Sequence, residues 1–344
     1  MTREGFEEVV ALHDHRSGLR AFLALHDTSA GPAFGGVRRF PYATEKAALL
    51  DCLRLALAMS WKVALADIAG GGGKLVLLDH PELDHEAAYR HLGRCVERMG
   101  GRFYTGPDVG TEARELAWVC DETRFAALPG EAGAGDLAGA TTLGAFAGVS
   151  AALRQLDGEE DWPRRTIVIQ GLGAVGFRLA QRLTALGARV VASEIDDDRA
   201  RAAREELGIQ TVDAGTEYDV HCDVFAPCAM GGVLHDLTIQ RLSCRSVVGA
   251  ANNILARTRH GDHLHRRGIL YVPDFVVNAG AVMRGAAFHL TGEATSDEAI
   301  EERVSALSAE ILGRACEEGR APAEVAAEEA SERLARRRAN ATQA

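Results

Sequence analysis

The sequence lacks any stretch able to cross a membrane: its longest apolar runs fall far short of the ~20 residues a bilayer requires. The opening MTREGFEEVV is acidic and has no apolar signal-peptide core, so no export signal is expected. No run of three basic residues occurs before Arg336–Arg338, and the formal net charge is −11, which argues against a nucleic-acid partner. That late arginine run reads as a solvated helix end. The seven cysteines are scattered without C-x-x-C spacing, and no cluster of His, Cys and acids suggests a metal. Reduced, mostly buried thiols in a cytoplasmic protein are expected. No internal repeat is present. What remains is an ordinary globular composition, 47% hydrophobic and 25% charged over 344 residues, enough for about two domains.

The most informative stretch is residues 166–194, TIVIQGLGAVGFRLAQRLTALGARVVASE. A β-branched run, Thr166–Ile169, leads into Gly171, Gly173 and Gly176 in G-x-G-x-x-G spacing. A helix-period segment then stops at Gly187, and a second apolar run, Arg189–Ala192, precedes Glu194. Strand, tight turn, helix and strand in that order describe a dinucleotide-binding unit. Gly171 permits the turn, Gly173 leaves room for a pyrophosphate, and Gly176 lets helix and strand pack closely. The loop residues Leu172, Ala174 and Val175 complete the phosphate cradle. Glu194 follows Gly176 by 18 residues, where an acid hydrogen-bonds a ribose 2′-OH and repels a 2′-phosphate. NAD is therefore expected in preference to NADP.

In the first half, residues 7–12 and 19–25 read as strands around an Arg16–Gly18 turn. Thr44 reads as a helix N-cap, followed by a stripe of Ala47, Leu50, Leu53, Leu57 and Met59 and, at the helix end, Lys62. Gly70–Gly73 precede Lys74 and a buried-type strand, Leu75–Leu78. A glycine run allows close backbone approach to a ligand. It is not a P-loop, which needs Ser or Thr where Leu75 stands. Desolvation would depress the pKa of a lysine so placed, although locally a glycine turn with a solvated lysine is the preferred reading. Residues 84–99 read as a helix. Asp108 lies between Gly106 and Gly110 after a short strand, Arg102–Thr105. Such loops hold catalytic groups in α/β sheets, and equally hold plain turn aspartates.

Residues 128–140, rich in Gly and Ala, read as a linker and hinge, followed by a helix over 141–156. Strands are expected at 210–212, 220–225, 245–249 and 269–272, alternating with helices into a parallel sheet. Their loops, Ala226–Cys228, Ala250–Asn253 and Asn278–Gly280, lie on the edge where a cofactor binds. A helical tail from Ser296 breaks near Gly319–Pro322, and its last helix is expected to return to the first domain or to a neighbouring subunit.

Read together, GPAFGGVRRF, MSWKVALADIAGGGGK, YTGPDVGT, IQGLGAVG, CDVFAPCAMGG, GAANNIL and PDFVVNAGAVM resemble, in that order, the leucine/phenylalanine/valine dehydrogenase group of the glutamate dehydrogenase superfamily. The resemblance covers roughly residues 5–290. It implies an α/β protein of two domains. These are a substrate-binding and oligomerisation domain (1–135) and a Rossmann-type, doubly wound NAD-binding domain (136–320), with a C-terminal helix (321–344) packing back. It also implies a homo-oligomer that deaminates an L-amino acid with NAD to a 2-oxo acid and ammonia. By the same resemblance Lys62 holds the α-carboxylate, Lys74 activates water, and Asp108 shuttles protons at the amino group. Gly36 and Asn253 help hold substrate, and Thr141, Asn252 and Asn278 lie by the nicotinamide.

The glutamate-specific relatives carry a lysine before the Gly-Gly pair, where this chain has Phe34. A phenyl ring cannot pair a carboxylate, and burying an unpaired one is costly, so an apolar side chain is expected. Gly106, Val282 and Gly285 would line the same pocket. Small Gly106 resembles phenylalanine-type enzymes and Val282 leucine-type ones, which leaves branched-chain and aromatic substrates both open. The family's Asn/Pro/Ser-rich segment before Thr141 is here Asp136–Ala140. That departure keeps two alternatives in view, a relative acting on another amine or imine and an NAD-binding protein without catalysis.

Overall fold

The computed structural model describes residues 5–130 and 133–343, in two compact units. The first takes the chain up to Leu137, Val282–Thr295 and everything from Ala330 onward; the second takes Ala138–Ala281 and Ser296–Glu329. Glu131 and Ala132, part of the expected linker, lie outside the described residues.

The first unit opens with an antiparallel hairpin, β1 (Glu8–Asp14) and β2 (Leu19–Leu25). There follow β3 (Ala33–Phe34), β4 (Val37–Phe40), α1 (Glu45–Leu65), β5 (Gly71–Leu78), α2 (His85–Arg98), β6 (Phe103–Tyr104) and α3 (Ala113–Cys120). The sheet runs β1-β2-β5-β3-β6, with β4 also paired to β5. Because side chains alternate along a strand, Leu75 and Leu77 of β5 face a core with Leu92 and Phe103. Val76 and Leu78 face Ala48, Cys52, Leu55 and Ala56 of α1. Thr44 caps α1, its side chain accepting the Ala47 N–H at 3.1 Å.

Two expectations are corrected here. The glycine run is strand, not loop: Gly71–Gly73 and Lys74 all belong to β5. What approaches these glycines is the protein's own backbone. A Cβ on Gly71 would stand 1.8 Å from the Asp27 carbonyl oxygen, and one on Gly72 would stand 2.1 Å from the Ser60 nitrogen in α1. The buried face of α1 is likewise not the expected stripe. Leu50 is 56% exposed, while Ala48, Cys52, Ala56 and Ser60 are fully buried. The helix is apolar around much of its girth, so periodicity alone selects no face. Its small residues turn inward because only they let it sit against β5.

The second unit begins with α4 (Leu137–Asp157), β7 (Thr166–Gln170), α5 (Ala174–Ala185), β8 (Arg189–Ser193), α6 (Asp197–Leu207), β9 (Gln210–Val212) and β10 (Cys222–Pro227). It continues through α7 (Asp236–Arg241), β11 (Cys244–Val247), α8 (Arg259–Arg266), β12 (Leu270–Tyr271), α9 (Asp274–Val277), α10 (Gly280–Thr291), α11 (Asp297–Glu318) and α12 (Pro322–Gln343). All of α10 but its first two residues, and α12 from Ala330 onward, count with the first unit. The sheet is wholly parallel in the order β12-β11-β10-β7-β8-β9. Strand order reverses beside β7, which places a crevice at the C-terminal ends of β7 and β10. Leu137–Ala140, expected as linker, form the first turn of α4, since leucine and alanine favour helix and no proline stops it. Thr141 therefore sits inside the helix.

Among the described residues, no helix is long and apolar enough to cross a membrane, and no group of three or more His, Cys, Asp and Glu could hold a metal. All seven cysteines are free; Cys52, Cys95 and Cys222 are buried.

The glycines of 171–176 divide by role. Gly171 has φ +91°, and a Cβ on Gly176 would stand 2.0 Å from the Gly171 carbonyl oxygen, whereas one on Gly173 would meet nothing within 4 Å. Gly176→Ala is therefore expected to cost about 1–3 kcal/mol through overpacking, and Gly173→Ala to unfold as the wild type does. Urea titrations of both variants check the contrast.

Candidate active site

In the first unit, Lys74 lies mid-strand on the face of β5 turned to α1, the helix that also carries Lys62. The Lys74 side chain is 6% exposed, and Lys62 is buried as well. The loop carrying Asp108 leaves β6 and is laid along β4. Val37 N–H donates to the Gly106 carbonyl at 3.0 Å and Arg39 N–H to the Val109 carbonyl at 2.9 Å. Gly110, at φ +76°, completes the turn, since any Cβ there would stand 2.1 Å from the Arg39 carbonyl oxygen. This lacing holds Asp108 against Lys74, with Nζ and Oδ2 2.5 Å apart. Gly36 belongs to the same corner: a Cβ on it would stand 3.0 Å from Asp108 Cβ and 2.6 Å from the Pro107 carbonyl oxygen.

A second cation touches Asp108 that the sequence reading did not assign. Arg38 Nε donates to the same Oδ2 at 3.0 Å, and its Nη1 lies 3.3 Å from Asp51 Oδ2. Tyr42 donates its hydroxyl to Asp51 at 2.6 Å. Burial works against the Asp108 carboxylate, but the ammonium of Lys74 and the guanidinium of Arg38 outweigh it and hold Asp108 well below the usual carboxylate range. Burial and Asp51 together push the Tyr42 phenol up. Two cations and two carboxylates thus balance across the chain Lys74–Asp108–Arg38–Asp51, and Lys62 adds a further buried ammonium. The only signal for Arg38 was the pair Arg38–Arg39 on a strand, whose alternation sends one guanidinium to each face; Arg39 goes to Asp79 instead, at 2.8 Å.

Phe34 is 3% exposed and packs with Val63 and Ala286, joined by Ile68, Tyr104 and Val282. A Cβ on Gly106 or Gly285 would meet nothing within 4 Å, so both glycines border open space. The turn after α1 is held from the C-terminal helix. Arg337 Nη1 donates to the carbonyls of Ile68 at 2.8 Å and Gly70 at 3.2 Å, and its Nη2 lies 3.2 Å from Asp67. Asp67 has φ +61°, a conformation disfavoured for a residue with a side chain. The sequence pointed to a return of this helix to the first domain, but not to Arg337 as the residue that makes the contact.

In the second unit, Glu194 Oε2 accepts the Leu172 N–H at 2.6 Å, and Oε1 accepts those of Ile195 and Asp196 at 2.9 and 3.1 Å. A carboxylate offers about four lone-pair sites, so capacity for a ribose hydroxyl remains. Ala174 and Val175 open α5, whose N-terminal N–H groups and dipole suit a phosphate. Ala226 and Pro227 end β10, and Cys228 N–H donates to the Gln170 carbonyl at 2.8 Å. Asn278 Nδ2 donates to the Ala250 carbonyl at 3.2 Å and to Asn252 Oδ1 at 3.0 Å. Its buried Oδ1 has no partner among the described residues, an orphaned acceptor of the kind a carboxamide N–H satisfies. These features fit a bound dinucleotide. Asn253, expected to hold substrate, sits in this unit at φ +53° with its carbonyl accepting the Gly232 N–H at 2.7 Å. Thr141 lies in α4.

Asp108→Asn would leave Lys74 and Arg38 without their shared carboxylate, and is expected to destabilise the protein by about 3–5 kcal/mol. Because the folded carboxyl is held down, its contribution is complete above the ordinary carboxylate pKa and fades only as pH falls from about 4 towards the lower folded value. Urea unfolding of wild type and variant should show an equal gap at pH 6 and 8, closing below pH 4.

A family model described as Glu/Leu/Phe/Val dehydrogenase, dimerisation domain, matches residues 7–125. A second, Glutamate/Leucine/Phenylalanine/Valine dehydrogenase, matches 133–206 and 193–343. A phenylalanine dehydrogenase of Thermoactinomyces intermedius is 42% identical over 88% of this chain and 86% of its own. A leucine dehydrogenase of the same organism is 38% identical over 83% and 79%. The crystal structure of L-tryptophan dehydrogenase from Nostoc punctiforme superposes with TM-score 0.82 at 32% identity, covering 100% of this chain and 98% of that one. The chain belongs to the Glu/Leu/Phe/Val dehydrogenase family and is an amino-acid dehydrogenase.

Proposed function

We propose that the chain catalyses reversible, NAD-dependent oxidative deamination of an L-amino acid with an apolar side chain, giving the 2-oxo acid and ammonia. The observation that carries this reading is the buried Lys74–Asp108 pair at 2.5 Å, with Lys62 buried on the facing helix and Phe34 where glutamate-specific relatives carry a lysine. Lys62 fixes the substrate carboxylate. Asp108, ionised across the working pH range, accepts a proton from the α-ammonium, which must become a neutral amine before the Cα–H bond can break. Bound NAD⁺ would take the two electrons and hydrogen of that bond as hydride. Lys74, paired as an ammonium with Asp108 in the free site, first gives its proton to solvent and then takes one from the water that adds to the imine carbon. Asp108 returns a proton to nitrogen, the C–N bond breaks as the carbonyl forms, and the hydroxyl proton passes to the departing ammonia. The sum consumes amino acid, NAD⁺ and water, and yields oxo acid, ammonium, NADH and one proton. Phe34, Val282, Gly106 and Gly285 receive the side chain, and Gly36 and Asn253 assist in holding the substrate.

Glu194 supports NAD over NADP, because a carboxylate among backbone N–H groups repels a 2′-phosphate. Thr141, Asn252 and Asn278 are assigned to the nicotinamide end. A homo-oligomer assembled through the first unit accords with the dimerisation-domain description of its matching family model, and free cysteines accord with a cytoplasmic protein.

Steady-state assays with Leu, Val, Ile, Phe and Trp plus NAD test the reading; no turnover on any of them would refute it. Lys74→Ala is expected to lower kcat by about 10²–10⁴-fold, the usual worth of a general base, with NADH affinity retained by fluorescence titration. Glu194→Ser should narrow the NAD/NADP ratio of kcat/KM by about tenfold, as expected on relieving a like-charge contact.

A further inference from the structure

The two elements that carry the side-chain pocket both continue beyond it. On α10, Val282, Gly285 and Ala286 recur at helical spacing, and the next position on that face is His289. Along the extended segment from β6, Gly106 and Tyr104 share a face, because alternate residues point the same way. These continuations meet: the Tyr104 and His289 rings lie 4.6 Å apart between centroids, with their planes at 52°. Tyr104 also lies 5.7 Å from the Phe34 ring, with the planes tilted by 31°. Beside this group, at Gly106 and Gly285, the missing side chains leave open space.

The pair is polar and half-buried, so water still reaches it. Among the described residues, no protein group hydrogen-bonds the His289 imidazole or the Tyr104 hydroxyl, which leaves water as their partner. Burial alone pulls the imidazole down, to about 4, so at neutral pH it is uncharged, with one N–H donor and one nitrogen acceptor. An aliphatic side chain filling this end of the pocket would strip water from both groups and return nothing, at a cost of ~1–3 kcal/mol for each group left unpaired. A ring carrying its own N–H or O–H can stack on Tyr104 and donate to the imidazole.

We propose that the pocket is shaped for an aromatic amino acid whose ring bears a hydrogen-bond donor, an indole or a phenol, and that His289 is the residue that selects it. This rests on the dehydrogenase reading and names the substrate class within it. A site built to pair a polar group discriminates strongly against an analogue that lacks it.

The test compares kcat/KM for Trp, Tyr, Phe and Leu in wild type, His289→Phe and His289→Gln. Wild type should favour Trp or Tyr over both Phe and Leu. His289→Phe should lower the ratio of the favoured substrate to Phe at least tenfold, and His289→Gln, which keeps an acceptor, should restore much of it. Wild type preferring Leu or Phe would overturn the inference even if neither variant folds, as would an unchanged ratio in folded His289→Phe. Activity on Leu or Phe alone would leave the dehydrogenase reading standing, whereas no turnover on any amino acid would remove both.

Discussion

The first unit is organised by the need to keep Lys74, Asp108 and Arg38 charged while burying them. A lone buried ion is too costly to tolerate, and an ion pair is tolerable only when its geometry is good and its remaining valences are met. Lys74 meets that condition because β5 is rigid on both flanks, paired to β2 on one side and to β3 and β4 on the other. Asp108 meets it because its loop is tied to β4 by backbone hydrogen bonds. Arg38 meets it because a second carboxylate, Asp51, shares its guanidinium. The result is a preorganised set of charged groups whose positions are set by sheet register, and preorganisation is what lets such groups stabilise developing charge without reorganising first.

The same unit shows how glycine sets spacing. Gly71–Gly73 do not form a flexible loop; they let α1 and the segment after β2 come within backbone contact of β5, which is what brings the helix bearing Lys62 against the strand bearing Lys74. In the second unit Gly171 and Gly176 do the equivalent for α5 and β7. Of the three glycines of that turn, Gly173 alone borders open space, so its missing side chain is not spent on packing.

The end of the chain has a packing role. The last turns of α12 lay Arg333 on the Leu65 carbonyl at 3.2 Å and Arg337 on those of Ile68 and Gly70. Those carbonyls lie at and just past the C-terminal end of α1, which has no intrahelical donors for its last turn. Arg337 also fixes Asp67 in its left-handed conformation, so the turn between Lys62 and Lys74, including Ile68 beside Phe34, is set by a segment remote in sequence. Arg336–Arg338 were read as a solvated helix end; Arg337, bound to backbone, is a correction to that, because a carbonyl cluster offers a guanidinium more than water does.

What the sequence determined by itself was whatever depends on neighbours along the chain. Strand, glycine turn, helix and acid in the right order specified the nucleotide-binding βαβ unit. Thr44 specified where α1 begins, and the strand alternation specified the parallel sheet, because each is a local rule with a short reach. Tertiary structure decided which face of α1 is buried, since an all-round apolar helix carries no preference until a sheet is brought against it. It decided that Gly70–Gly73 serve packing, and that Arg38 and Asp51 complete the charge balance around Asp108. Such pairings depend on register and burial across strands far apart in sequence, and no local pattern encodes them.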